Sequence, residues 1–415
     1  MKKNYFLLPL LFAGLASAQL NFTALEIKST DMLYDKITDR IYVAISGANG
    51  ANGNSIGIIN PRTRVLESTT YIGSEPSVLA ISDDSKYIYV GFTGTGTVRR
   101  YNVQTKAAEI QFSMGNNNSG SLYAKDIRVM PGTNSTIAVS KMQTGTSAPF
   151  KGVAIYDNGV QRPVTTFNPN DFTYDSADKI VFPTSSTIYG LSTSFSSSQP
   201  FRTIAVSATG AVDTNTNIYG LTNTASDIEF FENKIYATNG QVVDNLGPNA
   251  FVSGTYNSVN GPFSINAENR IISFVINYPY SFKRFNLDNF TLIDTTTIQD
   301  SDNKLANISC GSGCYAFNTA NKIYFSQDPS LATNNVVKNN SLSIYPNPVK
   351  DVVNIKTESN ITVVNAQLID VSGKIIFNSN ISEGKLDLSG VEKGIYFLKA
   401  TDKYGKIHNT KLIKN

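Results

Sequence analysis

Residues Ser77–Phe112 read SVLAISDDSKYIYVGFTGTGTVRRYNVQTKAAEIQF. The stretch divides into four short segments rich in β-branched and aromatic residues: Val78–Ser82, Tyr87–Phe92, Thr97–Val103 and Ala107–Phe112. Turn signals separate them: Asp83-Asp84-Ser85, Gly94-Thr95-Gly96 and Gln104-Thr105-Lys106. Segments of this length and composition predict strands, because an ordinary helix needs a longer apolar period. A four-stranded antiparallel sheet with two apolar faces is not stable alone in water, so it must stack on copies of itself.

Copies recur along the chain. The second strand returns as Arg40-Ile41-Tyr42-Val43, Tyr87-Ile88-Tyr89-Val90, Thr136-Ile137-Ala138-Val139 and Thr187-Ile188-Tyr189-Gly190. It returns again as Lys234-Ile235-Tyr236-Ala237, Arg270-Ile271-Ile272-Ser273 and Lys322-Ile323-Tyr324-Phe325. Successive Ile positions lie 47, 49, 51, 47, 36 and 52 residues apart. A period of this size, with four strands per copy, predicts an all-β, seven-bladed β-propeller. The 36-residue interval makes the fifth blade thin, and six or eight blades are the alternatives. Innermost strands are expected at Met32–Ile37, Val78–Ser82, Asp126–Met130, Lys179–Pro183, Asp227–Phe231, Phe263–Asn266 and Cys314–Asn318. The last copy lacks its outer part, and Phe22–Lys28 is expected to complete it, which would remove two exposed sheet edges.

The repeats resemble YVTN-type propeller repeats, which also occur in lactonase-like propellers. The resemblance rests on Glu75-Pro76-Ser77-Val78, Ser82-Asp83-Asp84-Ser85-Lys86, Ile88-Tyr89-Val90 and Val98-Arg99-Arg100-Tyr101-Asn102-Val103. It is close over Asp31–Phe112 and loose afterwards, and it implies a fold rather than an activity.

The two ends of the chain carry an address. Met1–Ala18 has a basic start (Lys2, Lys3), an apolar core (Tyr5–Leu15) and an Ala16-Ser17-Ala18 exit, the pattern of a secretory signal peptide cleaved before Gln19. The propeller is expected over residues 19–327 and a polar, Asn-rich linker over 328–341. Leu342–Asn415 has another texture: Tyr345-Pro346-Asn347-Pro348, Asp370-Val371-Ser372-Gly373-Lys374, Gly394-Ile395-Tyr396 and a basic-apolar last strand, Lys411–Lys414. Alternating strands and Gly turns predict a small Ig-like β-sandwich. The segment resembles the type A C-terminal sorting domain of the type IX secretion system of Bacteroidetes. That resemblance implies passage across the outer membrane, the secretion machinery and a sortase-like peptidase as partners, and a secreted or cell-surface product. No stretch after the signal peptide is apolar for long enough to predict a transmembrane segment.

The net charge is +3 with 16% charged residues, so no strong field points to nucleic acid. The single histidine is His408, which removes His-based catalysis and His–metal chemistry from the propeller. There is no phosphate-binding Gly-rich loop and no nucleophile elbow. Asp300-Ser301-Asp302-Asn303 offers oxygens suited to Ca2+, with a solvated turn as the simpler reading; no other cofactor is expected. Cys310 and Cys314 are the only cysteines, and in an exported chain they are expected to pair.

The inner strands offer Asp126, Arg128, Lys179, Asp227 and Glu229, spread over three blades with no evident catalytic set. More suggestive are the loops after the second strands: Ser46–Ser55, Thr93–Thr97, Lys141–Lys151, Ser192–Pro200, Thr238–Asn249 and Asn277–Phe282. Phe150, Tyr278, Tyr280 and Phe282 are expected to be exposed there, suited to stacking against a glycan or a protein. The expectation is therefore a non-enzymatic binding or adhesion propeller, exported to the surface. The alternatives are a carbohydrate- or lactone-acting hydrolase or lyase without a His-based site, and a passive surface scaffold.

Overall fold

Ser77–Phe112 folds as read, into the antiparallel strands Pro76–Ile81, Tyr87–Phe92, Thr97–Asn102 and Ala107–Ser113. Gly96 sits at φ +60° in its second hairpin, where an added Cβ would lie 2.6 Å from the Leu122 carbonyl oxygen, so the turn requires glycine. The computed structural model describes residues 20–415 apart from 118–119, 147–148, 168–176, 194–200, 219–223, 245, 248, 312, 328–341, 358–361, 371–373, 382–383 and 404–406. The expected signal peptide, the linker 328–341 and most of the 192–200 loop lie outside the described residues. The chain divides into two compact units, Met1–Ser330 and Leu331–Asn415.

Among the described residues the first unit holds seven antiparallel sheets, six of four strands and one of five. They begin with the strands Ser29–Asp35, Pro76–Ile81, Gly120–Val129 (behind a two-residue strand), Lys179–Thr184, Ile228–Phe231, Phe263–Asn266 and Lys304–Ser309. These leading strands touch in sequence from the first sheet to the fifth; the sixth touches the seventh, and the seventh touches the first. The Ile of the repeated motif explains the stacking. Ile41, Ile88, Ile188, Ile235 and Ile323 have no exposed surface, because each plugs the space between adjacent sheets. The fifth sheet is thin, as its short interval predicts, with strands of only four or five residues.

The seventh sheet corrects the sequence register. Its innermost strand is Lys304–Ser309; Tyr315–Thr319 is second and Ile323–Gln327, which carries the Ile-Tyr motif, is third. Second and third strands are both packed between neighbouring sheets, so they share one apolar texture and periodicity cannot separate them. The extra strand fits because Cys310 and Cys314 close a tight hairpin: they are disulfide-bonded, and the Cys310 amide donates to the Cys314 carbonyl at 2.9 Å. Only one outer strand is then missing. Asn21–Leu25 supplies it, pairing antiparallel with Leu25 opposite Ile323 and Asn21 opposite Gln327. Phe22 wedges between Phe282 and Phe317, each 5.1 Å away between ring centroids, and fixes the closure.

The second unit is two antiparallel sheets around one core. One holds Leu342–Tyr345, Val352–Thr357 and Lys385–Asp387; the other runs Ile375–Asn380, Val363–Ile369, Gly394–Asp402 and Ile407–Lys414. Val353, Ile355, Leu368, Leu386, Leu398 and Leu412 fill the space between them.

Candidate functional site at the channel mouth

The leading strands enclose a channel of about 740 Å3. In an antiparallel sheet the start of the first strand and the turn after the second lie at the same end. Residues at the strand starts therefore share a mouth with the loops singled out in the sequence.

Three inner strands carry an Asp followed by an apolar residue: Asp31-Met32 and Asp126-Ile127 lie within Ser29–Asp35 and Gly120–Val129, opposite Ala44 and Ser140 of the second strands, and Asp227 directly precedes Ile228–Phe231. Two of these carboxylates do the same work. Asp31 accepts the amides of Met32 and of Leu79 in the next sheet, both at 2.8 Å. Asp126 accepts the amide of Ile127 at 3.0 Å and that of Ile180 in the next sheet at 2.9 Å. Each staples one sheet to the next through backbone groups that would otherwise be left without a partner.

Around them the scattered charges of the sequence converge, contrary to expectation. Arg128 Nε donates to the Ile180 carbonyl at 2.8 Å, and Nη1 donates to Glu229 at 3.2 Å. The same guanidinium lies 3.7 Å from Asp126 and 4.0 Å from Asp227. Lys179 donates to Asp227 at 2.9 Å. Five residues from three sheets thus form one network because their inner strands run side by side at the channel wall. Burial pushes Asp31 up to about 6, against the Leu79 amide and the Lys179 charge. Burial also raises Glu229, against Arg128. Asp227 is lowered: burial opposes its charge, but Lys179 and Arg128 outweigh it.

A recess of about 470 Å3 joins this network to a loop. Lys179 and Asp227 line it from one side; Tyr278, Asn277 and Asn260 line it from the other. Tyr278 is 86% exposed, at the tip of the turn between Ile271–Asn277 and Tyr280–Asn286. The other aromatics fare differently. Tyr280 is half-buried, with the Lys304 ammonium 4.9 Å above its ring. Phe150 is partly buried against the core between the third and fourth sheets. Phe282 has no exposed surface, which corrects its expected place in the loop. The turn is so short that the strand has resumed by Tyr280, and the pleat points Phe282 at Phe22. Similarly Thr238–Asn249 is not one loop, since Gln241–Asp244 is a strand within it.

Asp300-Ser301-Asp302-Asn303 is a turn occupied by the protein's own cation. Lys304 Nζ donates to the Asp300 carbonyl at 2.6 Å and also to the Asp302 carbonyl. The Asp300 carboxylate accepts the Tyr324 hydroxyl and the Asp302 amide, the Asp302 carboxylate accepts Asn321 Nδ2, and Asn303 is exposed. Among the described residues no group of three or more His, Cys, Asp or Glu side chains is placed to hold a metal ion. No helix among them is long and apolar enough to cross a membrane.

Sequence reasoning missed Asp31 and Asn260, and it reached Asn277 only as the first residue of the Asn277–Phe282 loop. The repeated Asp-apolar pair could have revealed Asp31; no pattern marks Asn260.

Comparisons with known proteins bear on both units. Residues 343–415 match the family described as the secretion system C-terminal sorting domain. No curated protein matches the chain. Among solved structures the chain is similar to the Kuenenia stuttgartiensis hydrazine synthase, at 10% identity and a TM-score of 0.55, covering 72% of this chain and 95% of that one. It is similar to the β-propeller domain of Myceliophteria thermophila Cps50 (Swd1), at 10% identity and a TM-score of 0.52, covering 74% and 99%. A third is U3-55K, at 10% identity and a TM-score of 0.53, covering 74% and 98%. Identities this low speak to fold alone. The chain is a β-propeller followed by a type IX secretion sorting domain, and it is exported to the cell surface or secreted.

Proposed function

We propose that this is a non-catalytic binding propeller whose seven sheets are seven blades of a closed ring, and that it takes a glycan at the channel mouth. In this reading residues 1–18 are a signal peptide, the repeats are of the YVTN type, the tail is Ig-like and the source is a Bacteroidetes-like cell. The observation that carries it is the recess shared by an exposed tyrosine ring and a charged, amide-lined wall. A sugar offers an apolar face for Tyr278 to stack on and hydroxyls for Asn260, Asn277, Asp227 and Lys179. Its size suits a short oligosaccharide, within the range of roughly 300–1,000 Å3 typical of ligand sites.

The carboxylates favour binding over catalysis. Both oxygens of Asp31 accept backbone amides, and Asp227 is held by Lys179 and the Ile228 amide. Groups committed to structure in this way are poor proton donors to a substrate.

A glycan array on the purified full chain, followed by calorimetry on the hits, tests the reading. Tyr278→Ala should weaken the best ligand roughly tenfold, about 1.4 kcal/mol, with an unchanged melting temperature. Unchanged affinity removes the mouth from the binding site. Turnover of a glycan or lactone that disappears in Glu229→Gln would replace binding with catalysis.

A further inference from the structure

The sorting unit has a sheet with two edges, and the chain treats them differently. At one edge, beside Ile407–Lys414, the Asn347–Val349 segment lies along the strand. Asn347 Oδ1 accepts the Ile413 amide and its Nδ2 donates to the Lys411 carbonyl, both at 2.9 Å. The Val349 amide donates to the Ile413 carbonyl at 2.8 Å, and the Asn415 amide donates to the Val349 carbonyl at 2.9 Å. Val349 itself is buried in the core. The Lys411–Asn415 part of this edge is covered.

The opposite edge is Ile375–Asn380, which among the described residues pairs only with Val363–Ile369. Its sequence, IIFNSN, has no charge and no proline, and Ile375, Ile376, Asn378 and Asn380 are exposed. Proteins usually guard such an edge with charge. Four of the seven propeller sheets do so: their outer strands Val65–Tyr71, Ala107–Ser113, Gly210–Ile218 and Leu292–Thr297 carry Glu67, Glu109, Asp213 and Asp294. Each is paired with an arginine, respectively Arg40, Arg100, Arg202 and Arg284. The open edge of the sorting unit is also prepared. Asn365 Nδ2 donates to Asn378 Oδ1 at 3.1 Å and to Asn380 Oδ1 at 3.3 Å, holding both side chains in place. Beside it lies an apolar shelf, where Ile375 faces Ile369, Ile369 faces Phe397, and Ile375 and Phe397 are about half exposed.

We propose that the Ile375–Asn380 edge is where the secretion machinery grips this domain, by adding an extended, uncharged strand whose apolar side chains rest on the Ile375–Phe397 shelf. The occupant follows from the domain's role. A sorting domain must be held by a component of that machinery, and the open edge offers backbone groups that no described residue pairs, next to an apolar surface. Backbone pairing supplies affinity there, and the shelf supplies register.

The test uses the full chain in a host that secretes it. Ile375→Lys with Asn378→Lys places two charges on the open edge and should cut delivery to the surface or medium at least roughly tenfold, a threshold set by the cost of charging a pairing edge. Val352→Lys, an exposed apolar position on the other sheet, should leave delivery unchanged. Delivery of the double variant at the parent level overturns the proposal. A photocrosslinker at Asn378, which leaves the edge backbone intact, covers the case in which the double variant fails to fold. It should link to a component of the secretion machinery, while the same crosslinker at Val352 should not. Equal yields from both positions, or none from Asn378, also overturn it.

Discussion

The propeller channel has two walls built by different chemistry. Along the third, fourth and fifth sheets the neighbours are joined by charge: Asp126 and Arg128 take both backbone groups of Ile180, Arg128 reaches Glu229, and Lys179 reaches Asp227. From the sixth sheet through the seventh to the first, neutral groups do the joining. Asn307 Nδ2 donates to the Ser273 carbonyl and hydroxyl at 3.0 and 3.1 Å, Asn266 Nδ2 to the Gly311 carbonyl at 3.2 Å, and Asn318 Nδ2 to the Ser29 hydroxyl at 2.9 Å. The neutral wall contains the seam where Asn21–Leu25, the first strand of the first unit, pairs with Ile323–Gln327, its last. Amides bond in either protonation environment and tolerate burial at that joint, whereas a charge buried there would need a partner in place before the two strands paired. The charged wall belongs to sheets made consecutively, and its Lys179 and Asp227 line the recess they share with Asn277 and Tyr278 of the sixth sheet.

The largest effect that separates the walls should come from Arg128→Met. The substitution leaves Asp126, Asp227 and Glu229 facing one another with only Lys179 for compensation. Breaking a partly buried network in this way costs about 3 kcal/mol, read as a lowered urea midpoint. If the midpoint is unchanged, the charged wall is decoration and the comparison fails. Because the network is ionic, the loss should also be sensitive to salt at its exposed Glu229 end.

Asn307→Ala should cost less, about 1–2 kcal/mol, because it removes two neutral hydrogen bonds and leaves the Ser273 carbonyl buried without that donor. Its effect should be the same at low and high salt. A salt-dependent loss would mean that the two walls do not differ in kind.

How much of this could be read beforehand follows from the same contrast. The sheets were legible because each copy of the Ile-Tyr strand is sandwiched, and burial on both faces writes itself into sequence as an apolar run. The seventh sheet was misread for that reason too: Ile323–Gln327 has the texture of a second strand while occupying the third position. The sorting domain was legible through Tyr345-Pro346-Asn347-Pro348, whose Asn347 proves to clasp the last strand. The charged wall was visible only as single residues, since Asp126 and Glu229 are 103 positions apart in sequence and meet through Arg128. Tyr278 was identifiable as a loop aromatic, but its partnership with Lys179 and Asp227 depends on how the fourth, fifth and sixth sheets pack. Phe282 shows the limit of that reasoning: composition does not reveal that the turn is only Tyr278-Pro279, so that the strand resumes at Tyr280 and Phe282 falls on its buried face.

The smallest effect is the one that depends on pH, and it concerns the residue between the two walls. Asp31 belongs to the first sheet, next to the seam, but it uses a carboxylate in the manner of Asp126. Burial raises its pKa from the ordinary 3.8 to about 6, while the Leu79 amide and the Lys179 charge hold it down. A carboxyl raised on folding favours the folded state in its neutral form. Its contribution is therefore complete below about pH 3.8 and is lost as pH rises through about 6. Asp31→Ser removes this titration together with the two amide bonds. The stability difference between the parent and Asp31→Ser, from urea unfolding at several pH values, should be largest near pH 4 and should shrink by about 1 kcal/mol by pH 7, after allowance for solvent in the channel. A difference that instead grows with pH would mean that Lys179 governs Asp31 more than burial does. Asp31 would then belong to the charged wall, which would extend as far as the first sheet.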